Sequence, residues 1–211
     1  MSKEKDYVKA MDQDAERRFF VAPVTIEKRA DEETEQKFYE IEGFALKFNQ
    51  RTNLGWFDEE ILPGACDDVM NDDVRCLFNH NPNYILARSV DGKGTLTLEL
   101  VTEGLKYRYI TPNRSFALDL QDAIEAGDVS QSSFAFRASE VVWVEKEGEN
   151  ELRQIKKIER LYDVSPVTYP AYQDTSVAKR SFDALERNQE NEQTRAKLTV
   201  REAQCKVYNY N

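Results

Sequence analysis

The sequence has 211 residues, of which 40% are apolar and 11% aromatic, and this is enough to bury one sizeable core. Its formal net charge of −10 argues against a nucleic-acid-binding surface, because phosphate contacts need clustered Lys and Arg. No stretch approaches the roughly 18–20 apolar residues of a membrane span. The charged N-terminus lacks the apolar region of a signal peptide. We therefore expect a cytoplasmic protein that binds neither nucleic acid nor a membrane.

Composition divides the chain into three regions. Residues 1–18 are polar and charged, and they predict a flexible arm. Residues 19–180 carry the patterned apolar segments and form the predicted domain. Residues 181–211 are polar and helix-prone without sustained heptads, so we expect a tail that does not contribute to the core.

The predicted domain opens with β-strands. The segments F-F-V-A-P-V-T-I-E-K-R and K-F-Y-E-I-E-G-F-A-L-K-F are rich in aromatic and β-branched residues, and an acidic turn separates them. A loop that contains Pro63 and Gly64 follows, and a short helix is predicted near residues 66–71. Glycine-punctuated turns then separate further predicted strands at 74–79, 85–89, 95–101 and 104–110.

The hydrophobic period changes at residues 115–126. Apolar side chains recur there every four residues and Gly127 follows, which predicts one amphipathic helix. Asn113 or Ser115 is expected to cap its start.

After the helix, strands are predicted at 129–138, 139–146 and 151–164, with Gly148 turning the hairpin between the last two. The order of elements predicts a mostly β fold with flanking helices. We expect a small closed or nearly closed β-barrel.

His80 is the only histidine in the chain. Histidine is the usual general base near neutral pH, so histidine catalysis in this protein can use only this residue. It follows the predicted strand V-R-C-L-F within N-H-N-P, where Pro82 favours an extended Asn81. A surface histidine without a role is the alternative.

The segment V-S-Q-S-S-F-A-F-R predicts a strand with two adjacent serines. Alternation places Phe134 and Phe136 on one face and Ser133 on the other. If the phenylalanines enter the core, Ser133 points out of it, while Ser132 lies on the aromatic side. The pattern therefore favours Ser133 as a nucleophile. A β-bulge would reverse that choice, and two ordinary strand serines are the alternative.

The segment L-Y-D-V-S-P-V-T-Y-P-A-Y places Asp163 near the end of a predicted strand, before a proline-stiffened loop. A carboxylate there can hold an imidazole in the tautomer that accepts a proton from serine. Alternatively, Asp163 caps the turn or pairs with a nearby Arg or Lys. Backbone N–H groups of the loop at residues 165–171 are candidate donors of an oxyanion hole, and Glu140 is a second candidate acid.

The three cysteines are Cys66, Cys76 and Cys205, an odd number without a C-x-x-C motif, which indicates reduced thiols. Cys66, Cys76 and His80 would lack a fourth ligand for a closed zinc site, and their spacing matches no common zinc pattern. A Cys76–His80 thiol protease is excluded, since four residues along a strand separate the two groups by roughly 13 Å. We expect neither a metal nor a cofactor.

Several segments, taken in order, resemble the tailed-phage prohead protease family. They are E-G-F-A-L-K-F-N, F-D-E-E-I-L-P-G-A, L-F-N-H-N with I-L-A-R, T-L-T-L-E with G-L-K-Y, I-E-A-G, S-S-F-A-F and D-V-S-P-V-T-Y-P-A-Y. No single segment is decisive, but the ordered set is specific and spans about residues 38–180.

The resemblance implies a fold similar to the herpesvirus assemblins, a β-barrel flanked by helices. It also implies a serine nucleophile and a histidine base carried on barrel strands. Matched position by position, the family's histidine falls on His80, its serine on Ser133 and its acidic residue on Asp163. Relatives often carry Glu at the last position, so Asp163 keeps the charge on a shorter side chain. They often carry Asp where this chain has Asn81, which argues against a required carboxylate there.

The function that the resemblance implies is that of a serine endopeptidase of phage head maturation. Its substrates would be the major capsid protein or its scaffolding segment, and then the protease itself. It would act as a homo-oligomer inside the immature capsid, or prohead, in the cytoplasm of the bacterial host. The competing class is a catalytically silent capsid-assembly or scaffold protein with the same barrel, against which the presence of both His80 and Ser133 speaks. An unrelated β-barrel binding module is the third hypothesis.

Overall fold

The computed structural model describes residues 16–20, 24–30, 37–55, 57–144 and 150–168. All of them lie in the first of the chain's two units, Met1–Asp174. The predicted tail and the predicted turn at Gly148 lie outside the described residues.

The described residues form twelve β-strands, one α-helix and one short 3-10 helix. Their bounds are β1 Glu16–Phe20, β2 Thr25–Ala30, β3 Lys37–Lys47, β4 Thr52–Asn53, β5 Asp58–Ile61, the 3-10 helix Asp67–Val69, β6 Val74–Phe78, β7 Asn81–Val90, β8 Lys93–Gly94, β9 Leu96–Val101, β10 Gly104–Ile110, α1 Ser115–Ala126, β11 Gln131–Val144 and β12 Leu152–Val167.

The strands form two sheets. The larger sheet has the order β1–β11–β12–β6–β7–β8, with β5 added to β12 and β4 added to β5, and the smaller has the order β2–β3–β10–β9. Neighbouring strands are antiparallel, except that β12 runs parallel to β5 and β6. Strand β3 contacts β11 and β12 of the larger sheet, and β9 contacts β7 and β8. The two sheets therefore pack around a shared core.

The prediction of a mostly β fold is confirmed, but that of a closed barrel is wrong for the described part of the chain. Closure requires hydrogen bonds between the first and last strands of a sheet. Within the described residues the larger sheet instead ends at β1 on one side and at β8 on the other, and β8 has only two residues. So short a strand offers little backbone with which to continue the ladder.

The core fixes the register of β11 and β12. Phe134 and Phe136 are fully buried and their rings stack with centroids 4.9 Å apart, while Ile155 and Leu161 are buried on β12. Burying side chains of this size stabilises the fold by about 1.5–3 kcal/mol each. A slip of either strand by one residue would expose these groups, so the polar residues between them are also held in register.

Helix α1 occupies the predicted residues. Gly127 ends it in the left-handed conformation, with a φ of 84°, and donates its N–H to the Ile124 carbonyl at 3.0 Å. The expected caps, Asn113 or Ser115, are wrong, because Arg114 is the N-cap residue and makes no side-chain capping bond. Across the described residues there is no helix with the length and apolar character needed to cross a membrane.

Strands β11 and β12 are longer than predicted. Residues 131–144 form one continuous strand in place of the two predicted ones, with irregular pairing near Ala138 and Glu140 where the break was expected. Strand β12 continues past the predicted end to Val167. Only Asp163 and Val164 of this part of β12 pair with β6, and Pro166 lies beyond them. A residue without an N–H is tolerated at such a position.

Strand β1 begins inside the segment that composition predicts to be a flexible arm. It pairs antiparallel with residues 132–136 of β11. The side chains of Glu16 and Arg18 are buried with Glu59 of β5 and Arg153 of β12, and we call these four residues the buried ion quartet. The charged sequence of β1 resembles a solvated arm because the partners of its charges lie far away along the chain.

Candidate active site

Strands β11 and β12 place three polar side chains on one face of the larger sheet. Ser133 lies directly opposite Ser165, and Asp163 precedes Ser165 by two residues. Opposed residues of an antiparallel pair project to the same face, as do residues two apart along a strand. Ser133, Asp163 and Ser165 therefore share a face, while Phe134 and Phe136 enter the core, as alternation predicts.

His80 lies on the two-residue turn of the β6–β7 hairpin. Phe78 pairs with Asn81 across the hairpin, and Asn79 and His80 between them both have a φ of 55°. Two successive positive φ angles are typical of a type I′ turn, and Asn and His are among the non-glycine residues that adopt this conformation most readily. The imidazole is thus carried on a tight turn and not, as the resemblance implies, on a strand.

Asn79 ties this turn to β12. Its N–H donates to the Pro166 carbonyl at 3.1 Å, and its side-chain oxygen accepts from the N–H of Thr168 at 2.9 Å. The Thr168 hydroxyl donates to the same oxygen at 3.3 Å. The turn that carries His80 is therefore held against the strand that carries Asp163.

The three residues predicted from the sequence form one hydrogen-bonded chain. Nε2 of His80 is 2.5 Å from Oγ of Ser133, and Nδ1 of His80 is 2.5 Å from Oδ1 of Asp163. When Nδ1–H is donated to the carboxylate, Nε2 has the lone pair that can accept the serine proton. A hydroxyl, an imidazole and a carboxylate connected in this way can carry out nucleophilic catalysis.

Ser165 is a fourth member of the site, and sequence reasoning placed it only in a loop. Its hydroxyl donates to Oδ1 of Asp163 at 2.6 Å and lies 3.3 Å from Nδ1 of His80. Ser165 and the two residues after it belong to β12, and residues 169–171 of the predicted loop lie outside the described residues. The sequence signal that could have identified Ser165 is the D-V-S spacing, which puts two polar side chains on the same face of a strand.

Ser132 faces the interior, away from His80. Its Oγ is 2.8 Å from the buried hydroxyl of Tyr107, and a side chain added at Gly43 would meet both oxygens at less than 3 Å. Burial raises the pKa of the Tyr107 phenol, which therefore remains neutral. The structure thus brings Ser133, and not Ser132, to the imidazole.

The site is closed to solvent. The side chains of His80 and Asp163 are 7% and 9% exposed, and Ser133 is 0% exposed. An outward-pointing Ser133 was expected to be exposed to solvent, and that expectation is wrong. Although Ser133 faces away from the phenylalanines, β1 lies beside it, and the Arg18 carbonyl accepts a hydrogen bond from its hydroxyl at 3.0 Å.

Neither Cys66 nor Cys76 supplies an ionised thiol to the site. Burial, with a smaller contribution from Asp67, raises the pKa of the Cys66 thiol to about 12, and burial together with the charge of Asp163 raises that of Cys76 well above its usual value. Neither is a thiolate near neutral pH, and Cys205 lies outside the described residues. Within the described ranges no group of His, Cys, Asp or Glu is arranged to hold a metal ion.

Glu140 is also remote from the site. It is exposed and lies opposite Lys157, seven residues along β11 from Ser133, a separation of roughly 23 Å in a strand. It therefore cannot contact His80 in place of Asp163.

Comparison with known proteins identifies the family and the fold. The model of the family described as Caudovirus prohead serine protease matches residues 24–188, which include the four site residues and more than half of the chain. A solved structure of the bacteriophage T4 capsid assembly protease has the same fold, with a TM-score of 0.51 and 13% identity over 72% of this chain and 96% of that chain. No curated protein sequence matches the chain. The chain therefore belongs to the family of caudovirus prohead serine proteases.

Proposed function

We propose that the chain is a serine endopeptidase that cleaves scaffold or capsid protein, and then itself, during phage head maturation. The observation that carries the proposal is the chain of contacts from Ser133 through His80 to Asp163, with 2.5 Å at each link. Family membership supports the substrate class. The substrates are the major capsid protein or its scaffolding segment, encountered inside the prohead in the bacterial cytoplasm, where copies of the chain act as a homo-oligomer.

The reaction begins when Ser133 Oγ attacks the carbonyl carbon of the scissile peptide bond and His80 Nε2 takes the hydroxyl proton. His80 then gives this proton to the leaving nitrogen as the C–N bond breaks, which leaves an acyl ester on Ser133. Water attacks the ester after losing a proton to the same Nε2, and return of that proton to Oγ restores the serine. Asp163 holds Nδ1–H throughout and stabilises the imidazolium.

Ser165 has a positioning role in this scheme, since its hydroxyl bonds to Asp163, the residue that orients His80. We expect Ser165→Ala to lower kcat roughly ten- to a hundredfold with little change in KM, because a hydrogen bond to a charged group contributes about 1.5–3 kcal/mol. Steady-state kinetics on a peptide substrate, together with the melting temperature, measures this. An unchanged kcat with a lower melting temperature would mean that Ser165 is structural only.

Co-expression with the cognate capsid protein tests the function itself, with intact mass as the readout. We expect the wild type to shorten the capsid or scaffold protein and then to lose its own tail beyond residue 180, because a polar sequence of this kind can enter a cleft as an extended strand. Trimming of the arm should follow once β1 has left the sheet.

The control for that experiment is Ser133→Ala, which lacks only one hydroxyl. Equal trimming in the wild type and in Ser133→Ala would identify contaminating proteases as the cause. Intact capsid protein in both would favour the silent capsid-assembly protein.

A further inference from the structure

Strand β1 covers the serine in the way that a bound peptide would. It runs antiparallel to β11 with Phe19 opposite Ser133. The backbone carbonyl of Arg18 lies 3.0 Å from Ser133 Oγ, and a substrate must bring a peptide carbonyl to this atom. Addition of an extended segment to the edge of a sheet is a general mode of peptide recognition. Strand β1 also lies outside residues 24–188, the part that the family model matches.

We propose that β1 is a built-in substrate mimic, which occupies the edge of β11 where peptide substrates bind and keeps the site closed until it leaves. This inference rests on the proposed function, because it takes Ser133 as the nucleophile.

The buried ion quartet holds the strand in place. Arg18 bonds to Glu59 through Nε and through Nη2, the latter at 2.9 Å, and to Glu16 at 2.6 Å. Arg153 bonds to the two oxygens of Glu16 at 2.7 and 2.9 Å. Burial would raise the pKa of the Glu59 carboxyl, but the charges of Arg18 and Arg153 hold it below its usual value, so Glu59 stays ionised between the two guanidinium groups. Loss of one buried charge from such a set is strongly destabilising.

The same quartet allows β1 to leave. The strand contributes one acid and one base, Glu16 and Arg18, and the domain contributes Glu59 and Arg153, which also bond to each other. Departure of β1 therefore leaves a matched pair and no unpaired buried charge. The vacated edge should accept an extended segment that carries a basic residue at the position of Arg18 and an acidic residue two positions before it.

The seated strand also keeps Ser133 unreactive. A serine hydroxyl has one proton, so the Arg18 carbonyl competes for it with His80 Nε2, the atom that must receive it. The atom that Arg18 presents to the hydroxyl is the carbonyl oxygen at 3.0 Å, whereas attack requires the serine lone pair at the carbonyl carbon. Strand β1 is thus bound in the manner of a substrate but held short of reaction.

Labelling of Ser133 by a fluorophosphonate in the full-length protein measures how often the site is open. When β1 is paired with β11, Arg18→Glu places three carboxylates next to Arg153, namely those of Glu16, Glu59 and the substituted side chain. When β1 has left the sheet, the Glu59–Arg153 pair remains intact. We expect Arg18→Glu to label about tenfold faster than the wild type or more, because the open state changes from a minor to a major population. Arg18→Gln, which removes the charge without adding an acid, should label at an intermediate rate.

The matched control is Arg29→Glu, which makes the same change of charge on the exposed part of β2. It should label as slowly as the wild type. Rapid labelling of the wild type itself would show an open site and would overturn the proposal.

Peptide binding tests the groove without a working nucleophile. The probe is a fluorescent peptide with the sequence of residues 14–22, added to the double variant Arg18→Glu/His80→Ala, in which the serine hydroxyl is kept and cleavage is blocked. Fluorescence anisotropy should show binding at least about tenfold tighter than for a peptide in which the residues at positions 16 and 18 are exchanged, since the exchange places like charges together in the quartet.

The two measurements separate the two proposals. Selective binding of the first peptide without labelling of any variant would keep the edge of β11 as a peptide-binding groove but overturn Ser133 as the nucleophile, and with it the substrate mimic. Labelling of Ser133 at equal rates in the wild type and Arg18→Glu, with equal binding of both peptides, would keep the protease and overturn the mimic.

Discussion

Replacing His80 or Ser133 by alanine is expected to lower kcat/KM about ten-thousandfold or more, and the double variant should be no slower than either single one. In the proposed mechanism the two side chains act as one unit: the hydroxyl is a weak nucleophile without the base, and the base has no proton to take without the hydroxyl. Initial rates on one peptide substrate for the four proteins measure this. Two losses that multiply independently would contradict a shared mechanism.

Ser132→Ala is the matched control for these variants, because it removes the neighbouring hydroxyl from the same strand. Ser132 contacts Tyr107 in the interior and does not approach the imidazole. We expect its kcat/KM to stay near that of the wild type. Its stability should fall by about 1 kcal/mol, since the buried Tyr107 hydroxyl loses a partner. An inactive Ser132→Ala beside an active Ser133→Ala would reverse the assignment of the two serines.

Asp163→Asn is expected to lower the rate about a thousandfold or more while the protein stays folded. An amide can still accept the hydrogen bond that Ser165 donates. It can also donate to Nδ1, however, which favours the tautomer whose proton lies on Nε2, and it cannot neutralise the imidazolium. Parallel measurement of the cleavage rate and of the melting temperature separates this effect from a loss of stability.

Asp163→Glu is the conservative partner of that variant. It keeps the charge and lengthens the side chain by one methylene, so partial activity is expected. If Asp163→Asn melts and cleaves as the wild type does, Asp163 has no part in the mechanism. Since Glu140 is exposed and remote, a dyad of His80 and Ser133 would then remain.

Alternation along a single strand was enough to distinguish the two serines. The sequence F-A-F commits one face of β11 to the core, so the side chain one position away lies on the other face. Composition was enough to single out the imidazole, because the chain has only one histidine. These are local properties, and local patterns can be read from a sequence.

The features that were not predicted depend on contacts between distant parts of the chain. Strand β1 pairs with β11 across more than a hundred residues, and its charges find their partners in β5 and β12. A charged strand whose partners are buried and a charged segment in solvent have the same amino-acid composition. Composition alone therefore could not show that the predicted arm contains a strand. Strand β1 also lies beside Ser133, so the burial of that serine was not predicted for the same reason.

The turn at Asn79 and His80 was missed for another reason. The dipeptide Asn-Gly is the common signal of a type I′ turn, and a histidine in its second position gives only a weak one. The hairpin adopts the turn because Asn79 is bonded to Pro166 and Thr168 at the end of β12. Barrel closure likewise depends on the lengths of the last strands, which patterns locate only to within a few residues.

The position of the adduct that a fluorophosphonate leaves on the full-length protein tests the central claim most directly. After prolonged reaction, peptide mapping should find one adduct per chain, on Ser133, both in the wild type and in Arg18→Glu. His80→Ala should show almost none, because the hydroxyl then has no base. An adduct on Ser132 or Ser165, or equal labelling of Ser133 in the wild type and His80→Ala, would contradict the account.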